Sequence, residues 1–239
     1  MKNIIVLGAL LSIMFAHTAD AKPKAKVKDT SSYDIVAEYV RSLGAVHNIQ
    51  QLSTMEQLEA EGDNIKTNMN TIKSLTRLKL EYNFSINKLK GMHLKRKQFD
   101  SLIPDTIHWY KKKLMLYDEM TNISKKIIDV RPNPKVDYSK LAARVPEISA
   151  LLDYIDETIF QSMVLVFALL IDEKPDSEGH MSHLNISNAQ KQKLLDGIDT
   201  AFGESLESEN KNWTTSAAAL LKAYLQKDYL PTDEWQSSN

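Results

Sequence analysis

Two histidines in a short acidic stretch come closest, by residue type and spacing, to a metal-binding motif. His180 and His183 are separated by two residues, and Asp176 and Glu178 precede them. Two imidazoles with a carboxylate suit zinc or a similar ion. The stretch also has the composition of an ordinary solvated connector, and a His-x-x-His pair arises by chance. A metal-dependent enzyme built on this loop is therefore an alternative hypothesis rather than the main one.

Clustered basic residues form a second candidate site, for contact with an anionic polymer or lipid. Residues 64–136 hold sixteen Lys or Arg and six Asp or Glu, whereas residues 137–210 hold five basic and fourteen acidic residues. Such a cluster attracts polyanions, and aromatic rings favour a lipid–water interface. The predicted contact residues are Lys88, Lys90, Lys95, Arg96, Lys97, Trp109, Tyr110, Lys111, Lys112 and Lys113. The competing interpretation is that the basic helices pack against the acidic ones, so that complementary charge selects helix neighbours.

Motifs of several enzyme classes do not occur in this chain. The sequence lacks His-Glu-x-x-His, Gly-x-Ser-x-Gly, glycine-rich phosphate loops and the paired Glu-x-x-His of di-iron bundles. It has no cysteine, which excludes disulfides and thiolate chemistry. The nine Met residues occupy positions typical of core filling. The sequence therefore indicates no nucleophile, general acid, general base or cofactor.

The first 21 residues have the pattern of a secretory signal peptide. Lys2 is followed by an apolar run from Ile4 to Phe15 and by the small-residue motif Ala19-Asp20-Ala21, which predicts cleavage before Lys22. Residues 22–32 contain four lysines among small residues and are expected to form a flexible basic linker. The chain is therefore expected to be exported to the periplasm or the extracellular space, where contact with nucleic acid is not expected.

Residues 33–230 are expected to form a single all-α domain, followed by a frayed tail over residues 231–239. Apolar residues recur at steps of three and four over long stretches, as in the narrow seam of a bundle or coiled coil, most clearly from Ile65 through Met69 to Leu89. Alternating apolar strands and hairpin turns are absent. The pattern predicts an elongated bundle of about five or six helices with an up-down core.

The central segment from Pro146 to Asp172 carries an uncharged run between Thr158 and Ile171. Pro146 suits the first turn of a helix, and the apolar second half is expected to be surrounded by other helices. About 14 uncharged residues are too few for a membrane-spanning helix, which needs roughly 20. No stable transmembrane span is therefore expected after signal cleavage.

These patterns favour an exported, non-catalytic helical bundle that acts by binding an envelope protein, an anionic envelope polymer or a lipid. An alternative from a different class is a secreted protein that inserts Met163 to Ile171 into membranes, as helical pore-formers do. The motivation for this alternative is a single segment too apolar for an exposed position. Leakage of vesicle contents distinguishes the two, since only the second interpretation predicts it.

Overall fold

The computed structural model describes residues 30–94, 99, 101–129, 138–172, 183–209 and 211–226. Within them lie six α-helices: α1 (Ser32–Leu58), α2 (Asn64–Lys90), α3 (Leu102–Asp129), α4 (Tyr138–Ala168), α5 (Asn188–Phe202) and α6 (Trp213–Gln226). A 3₁₀ turn, Gly203–Glu207, follows α5. The chain is thus an all-α helical bundle, as predicted. The predicted signal peptide, most of the basic linker and the C-terminal tail lie outside the described residues.

Local chemistry at the helix ends explains where several of these helices begin. The Ser31 side chain accepts a hydrogen bond from the Asp34 N–H, and the Asp63 side chain accepts from two N–H groups at the start of α2. Gly62 has a φ of 82°, which lets the chain turn between α1 and α2. Ser187 and Gln190 form a capping box at the start of α5.

The first four helices form an up-and-down series in which each helix packs against the next. The two shorter helices, α5 and α6, pack against each other and against α1, and α6 also packs on α4. Helices α1 to α3 each have 27 or 28 residues, or about 40 Å of length, which makes the bundle elongated. The buried hydrophobic cluster at the centre of the bundle includes Ile35, Tyr39, Leu89, Tyr110, Val166, Leu170, Ile198, Leu221 and Leu225.

Helix α4 begins earlier than the sequence predicts. It starts at Tyr138 and continues through Pro146, which therefore lies inside the helix rather than in its first turn. A proline there removes one backbone hydrogen bond. Contacts on both sides of Pro146 hold the helix together, since Arg144 is ion-paired with Glu119 of α3 and Ile148 is fully buried.

A two-residue antiparallel pairing follows α4. Strand β1 (Ile171–Asp172) pairs with β2 (His183–Leu184), with Ile171 opposite Leu184. The Asn185 side chain donates a hydrogen bond to the Leu169 carbonyl at 3.1 Å, which ties the residue after β2 to the end of α4. The pairing closes a loop and adds no layer to the fold.

Candidate functional site at the basic end of the bundle

Three chain segments meet at the end of the bundle where α2 stops and α3 starts. Helix α2 ends at Lys90, where Gly91 caps it. The Thr30 N–H donates to the His93 carbonyl at 3.0 Å, and the His93 N–H donates to the Thr30 hydroxyl at 3.1 Å. Thr30 therefore lies at this end of the bundle, and residues 22–28, which precede it in the sequence, contain four lysines. We call this region the basic end.

A recess of about 700 Å³ opens at the basic end between the last turn of α2, residues 92–94 and 99, and the first turns of α3. Its apolar lining consists of Leu89, Met92, Leu94, Phe99, Ile103, Pro104 and Ile107. Lys90, His93 and Lys111, all exposed, also border it. A recess of this size, mostly apolar with a few polar groups, has the character of a ligand site. Sequence reasoning missed Met92, Leu94 and Phe99, although apolar residues inside a basic connector were a detectable signal.

The predicted basic contact residues are only partly brought together. Lys88, Lys90, Lys111 and Lys112 are exposed, and none of the four forms an ion pair within the described part of the chain. The Lys88 ammonium lies 5.5 Å from the centroid of the Phe84 ring. The other three predicted basic residues, Lys95, Arg96 and Lys97, lie outside the described residues.

The two aromatic residues predicted to face a ligand lie elsewhere. Trp109 is half-buried, with its ring edge-to-face against His108 and Tyr154 at centroid distances of 5.2 and 6.2 Å. It therefore packs between α3 and α4 and does not line the recess. Tyr110 is buried and hydrogen-bonds with Ser42, so the prediction that it lies at a surface is wrong.

Lys113 was predicted to belong to the basic surface, and that prediction is also wrong. Its side chain is 2% exposed and forms an ion pair with Asp156 of α4. Lys113 is three residues after Tyr110 and four before Tyr117, so helical geometry places it on the inward face of α3. Burial acts to lower the pKa of Lys113, but Tyr82, Tyr117 and Asp156 outweigh it and raise that pKa well above its usual value. Lys113 is therefore a protonated structural cation rather than a nucleophile.

A second polar network joins α1 to α2. One guanidinium nitrogen of Arg41 lies 2.7 Å from a carboxylate oxygen of Glu38, 2.7 Å from one of Glu81 and 2.9 Å from the Ser85 hydroxyl. These hydrogen bonds outweigh the partial burial of Arg41 and raise the pKa of its guanidinium. The Ser85 hydroxyl donates to Ser42 at 3.0 Å. Each charged group in this network has an opposite charge as its partner.

Between the two networks lies a cavity of about 20 Å³, lined in part by Ser42, Tyr82, Tyr110 and Asp156. That volume is enough for about one water molecule. Burial raises the pKa of Tyr82 well above its usual value and that of Tyr110 to about 12. Both phenols are therefore protonated at neutral pH, and neither can serve as a general base there.

The predicted metal ligands His180, Asp176 and Glu178 lie outside the described residues. The backbone of His183 pairs with Asp172 in the two-residue sheet, and its side chain is not among those described. In the described part of the chain, no group of three His, Asp or Glu side chains is arranged to hold a metal ion. Metal binding by this loop remains a prediction.

The apolar second half of α4 is buried on one side only. Met163, Val166 and Phe167 are buried, whereas Val164 and Leu165 are 41% and 54% exposed. The expectation that other helices surround this segment is therefore wrong. Over the ranges the structure covers, no helix combines the length and hydropathy needed to cross a bilayer.

The basic end combines an open apolar recess with four exposed lysines that form no ion pair among the described residues. The polar networks, by contrast, are internally satisfied. Comparison with protein-family models, with curated proteins and with solved structures finds no match for this chain.

Proposed function

We propose that this chain is an exported, non-catalytic binding protein of the cell envelope, and that its basic end binds membranes rich in anionic lipid. The observation that carries the proposal is the group of four exposed lysines, Lys88, Lys90, Lys111 and Lys112, without ion-pair partners among the described residues. Export is proposed from the signal-peptide pattern of residues 1–21.

The distribution of paired and unpaired charge supports this assignment. Several of the cations on α2 and α3 have ion-pair partners within the fold. Lys73 and Arg77 pair with Glu56 of α1, and Lys79 pairs with Asp118 of α3. Lys88, Lys90, Lys111 and Lys112 form no ion pair among the described residues, and four more lysines, in residues 22–28, precede Thr30 in the sequence. Each lysine near an anionic membrane surface contributes about 1 kcal/mol to binding.

Lipid is favoured over a soluble envelope polymer because the same end carries an apolar recess. A polyanion without hydrocarbon would neutralise the lysines and leave that apolar surface in water. An anionic lipid matches both features, since its headgroup is charged and its chains are apolar.

The test is co-sedimentation of the chain from Lys22 onward with lipid vesicles. We expect binding to vesicles containing phosphatidylglycerol and none to purely zwitterionic vesicles. Raising the salt from about 50 to about 500 mM should abolish binding, because the screening length falls to a few Å. Vesicles should not leak; leakage would favour the membrane-inserting alternative.

Matched lysine variants locate the contact. Lys88→Gln/Lys112→Gln removes two exposed charges at the basic end without touching the recess lining, and it should weaken vesicle binding about 30-fold. Lys125→Gln/Lys126→Gln removes two exposed charges from the opposite end of α3 and should leave binding unchanged. An equal loss of vesicle binding in both double variants would overturn the proposal, and so would equal binding of the wild-type chain to zwitterionic and anionic vesicles. Binding to soluble polyanions but not to vesicles would assign the basic end to a polymer instead.

A further inference from the structure

The recess at the basic end has a chemical polarity along its wall. Three of its lining residues, Ile103, Ile107 and Lys111, are spaced by four residues on α3 and so form one row along that helix. Ile103 is 7% exposed, Ile107 is half-buried and Lys111 is exposed. Over about 12 Å the wall therefore changes from buried and apolar to solvated and cationic.

The rest of the lining also combines buried apolar residues with exposed polar ones. Leu89 and Leu94 are buried, and Met92 and Phe99 pack half-buried against the core. Lys90 and His93 are exposed next to these apolar residues in the chain. Within its described lining the recess carries no carboxylate. An elongated ligand with one apolar end and one anionic end is complementary to this arrangement.

We infer that the recess binds a single acyl chain with an anionic head, as in a long-chain fatty acid. The chain lies against Ile103 and Ile107, and the carboxylate lies toward Lys111. The volume of about 700 Å³ falls within the range of roughly 300–1,000 Å³ typical of small-molecule sites. The chain's own lysine-rich stretch, residues 22–28, is a poor occupant because it has the same charge as Lys90 and Lys111.

This inference rests on the proposed function, to which it adds the uptake of one lipid chain. An acyl chain can come from a monomer in solution or from a lipid that remains in the bilayer. Both sources present the same chemistry to the recess, an apolar chain with an anionic head, and the dodecanoate and vesicle experiments distinguish them.

The first experiment compares ligands by isothermal titration calorimetry with the chain from Lys22 onward. Dodecanoate is expected to bind one per chain. Butyrate has the same head without the chain, and dodecyltrimethylammonium has the same chain with the opposite charge. Both should bind at least tenfold more weakly. Equal binding of dodecanoate and dodecyltrimethylammonium would overturn the inference, because it would show an apolar cavity that does not recognise the anion.

The second experiment places the ligand in the recess. Met92 is one of the residues that line the recess, whereas Met120, also half-buried, is outside the described lining, 13 residues after Ile107 on α3. Dodecanoate should shift the Met92 methyl NMR signal and leave that of Met120 in place. Shifts at Met120 alone would put the ligand elsewhere and refute the assignment.

A matched pair of variants completes the test. Ile107→Ser should weaken dodecanoate binding about tenfold, whereas Leu116→Ser, at another half-buried position on α3, should not. If Ile107→Ser fails to fold, Ile107→Val removes a single methylene and should weaken binding about fourfold. Unchanged affinity in the folded Ile107 variant would overturn the inference.

The two proposals fail in different ways. Salt-sensitive vesicle binding that depends on Lys88 and Lys112, without dodecanoate binding, would refute the acyl-chain site and leave the proposed function standing. Dodecanoate binding without vesicle binding would refute the proposed function and leave the acyl-chain site standing.

Discussion

Lys113 of α3 and Asp156 of α4 form an ion pair in which the cation is almost fully buried and the anion is partly open to water. Their side chains are 2% and 29% exposed. The Lys113 ammonium also lies 5.0 Å from the Tyr82 ring centroid and 5.7 Å from that of Tyr117. The pair joins α3, from the basic part of the chain (residues 64–136), to α4, from the acidic part (residues 137–210), as expected if complementary charge selects helix neighbours.

The unequal exposure of the two partners predicts unequal effects of their removal. Asp156→Ala leaves a buried ammonium without a counter-ion and should cost about 3–5 kcal/mol in the free energy of unfolding. Lys113→Met should cost less, because the remaining carboxylate can be hydrated. Urea unfolding measures both, with the exposed neighbour Lys112→Met as a control within about 0.5 kcal/mol of wild type. A larger loss for Lys113→Met than for Asp156→Ala would contradict this account.

A close approach of α1 and α5 at Gly44 gives a second prediction. A Cβ added at Gly44 would lie 2.7 Å from the Cβ of Ala201, whereas one added at Gly197 would lie 3.6 Å from a Val40 methyl. Gly44→Ala should therefore destabilise the protein by about 1–2 kcal/mol, because overpacking exceeds the gain in helix propensity. The added methyl group in Gly197→Ala would make an ordinary van der Waals contact, so this variant should stabilise the protein by up to about 1 kcal/mol.

The double variant Gly44→Ala/Ala201→Gly tests the assigned cause. It removes the clashing methyl group and should recover part of the lost stability, as measured by the shift of the urea midpoint. If Gly44→Ala alone matches wild type, the two helices do not approach as closely as the structure places them.

The sequence predicted the helical fold well, because the signals involved are local. Apolar spacing, Ser31, Gly62 and Ser187 mark helix faces and ends through interactions within a few residues. Periodicity does not reveal whether another helix covers a face. Ile65 and Met69 fit the stripe of α2, yet they are 44% and 59% exposed.

The candidate site was less predictable because its residues come together only through packing. The run Lys111 to Lys113 reads as one basic patch, but successive helical positions differ by about 100°, and the third lysine turns inward. That rotation could have been inferred from Tyr110 and Tyr117, which flank Lys113 at helical spacing. The ion pair between Lys113 and Asp156, 43 residues away, could not have been inferred from the sequence, since it depends on how α3 and α4 pack.

Buried His47 predicts how stability depends on pH. Its side chain is 4% exposed, its ring lies 4.7 Å from that of Phe202, and its Nδ1 has no hydrogen-bond partner within the described residues. Burial lowers the pKa of His47 below its usual value near 6.5. The unfolded chain then binds a proton that the folded chain does not, so stability is fully present above about pH 6.5 and decreases as the pH falls.

The free energy of unfolding should fall with pH in this window, by no more than about 1.4 kcal/mol per pH unit, and this slope should flatten in His47→Leu. His108→Leu, at an exposed position, should retain the slope. A His47→Leu profile as steep as that of wild type would assign the slope to another group.

Glu56 affects stability at lower pH. A hydrogen bond from Lys73 lowers the pKa of the Glu56 carboxyl, so the stability that this carboxylate contributes is lost only below about pH 4.5.

The one-sided burial of α4 gives the last prediction, which compares two residues two positions apart in the apolar run. Met163 is 4% exposed and Leu165 is 54% exposed. Met163→Ala should cost about 2–5 kcal/mol because it leaves a cavity, whereas Leu165→Ala should cost less than about 1 kcal/mol. Urea unfolding at two protein concentrations measures both. A large, concentration-dependent loss for Leu165→Ala would show that another molecule covers this face in solution, and a large loss that does not change with concentration would place Leu165 in the core of the chain itself.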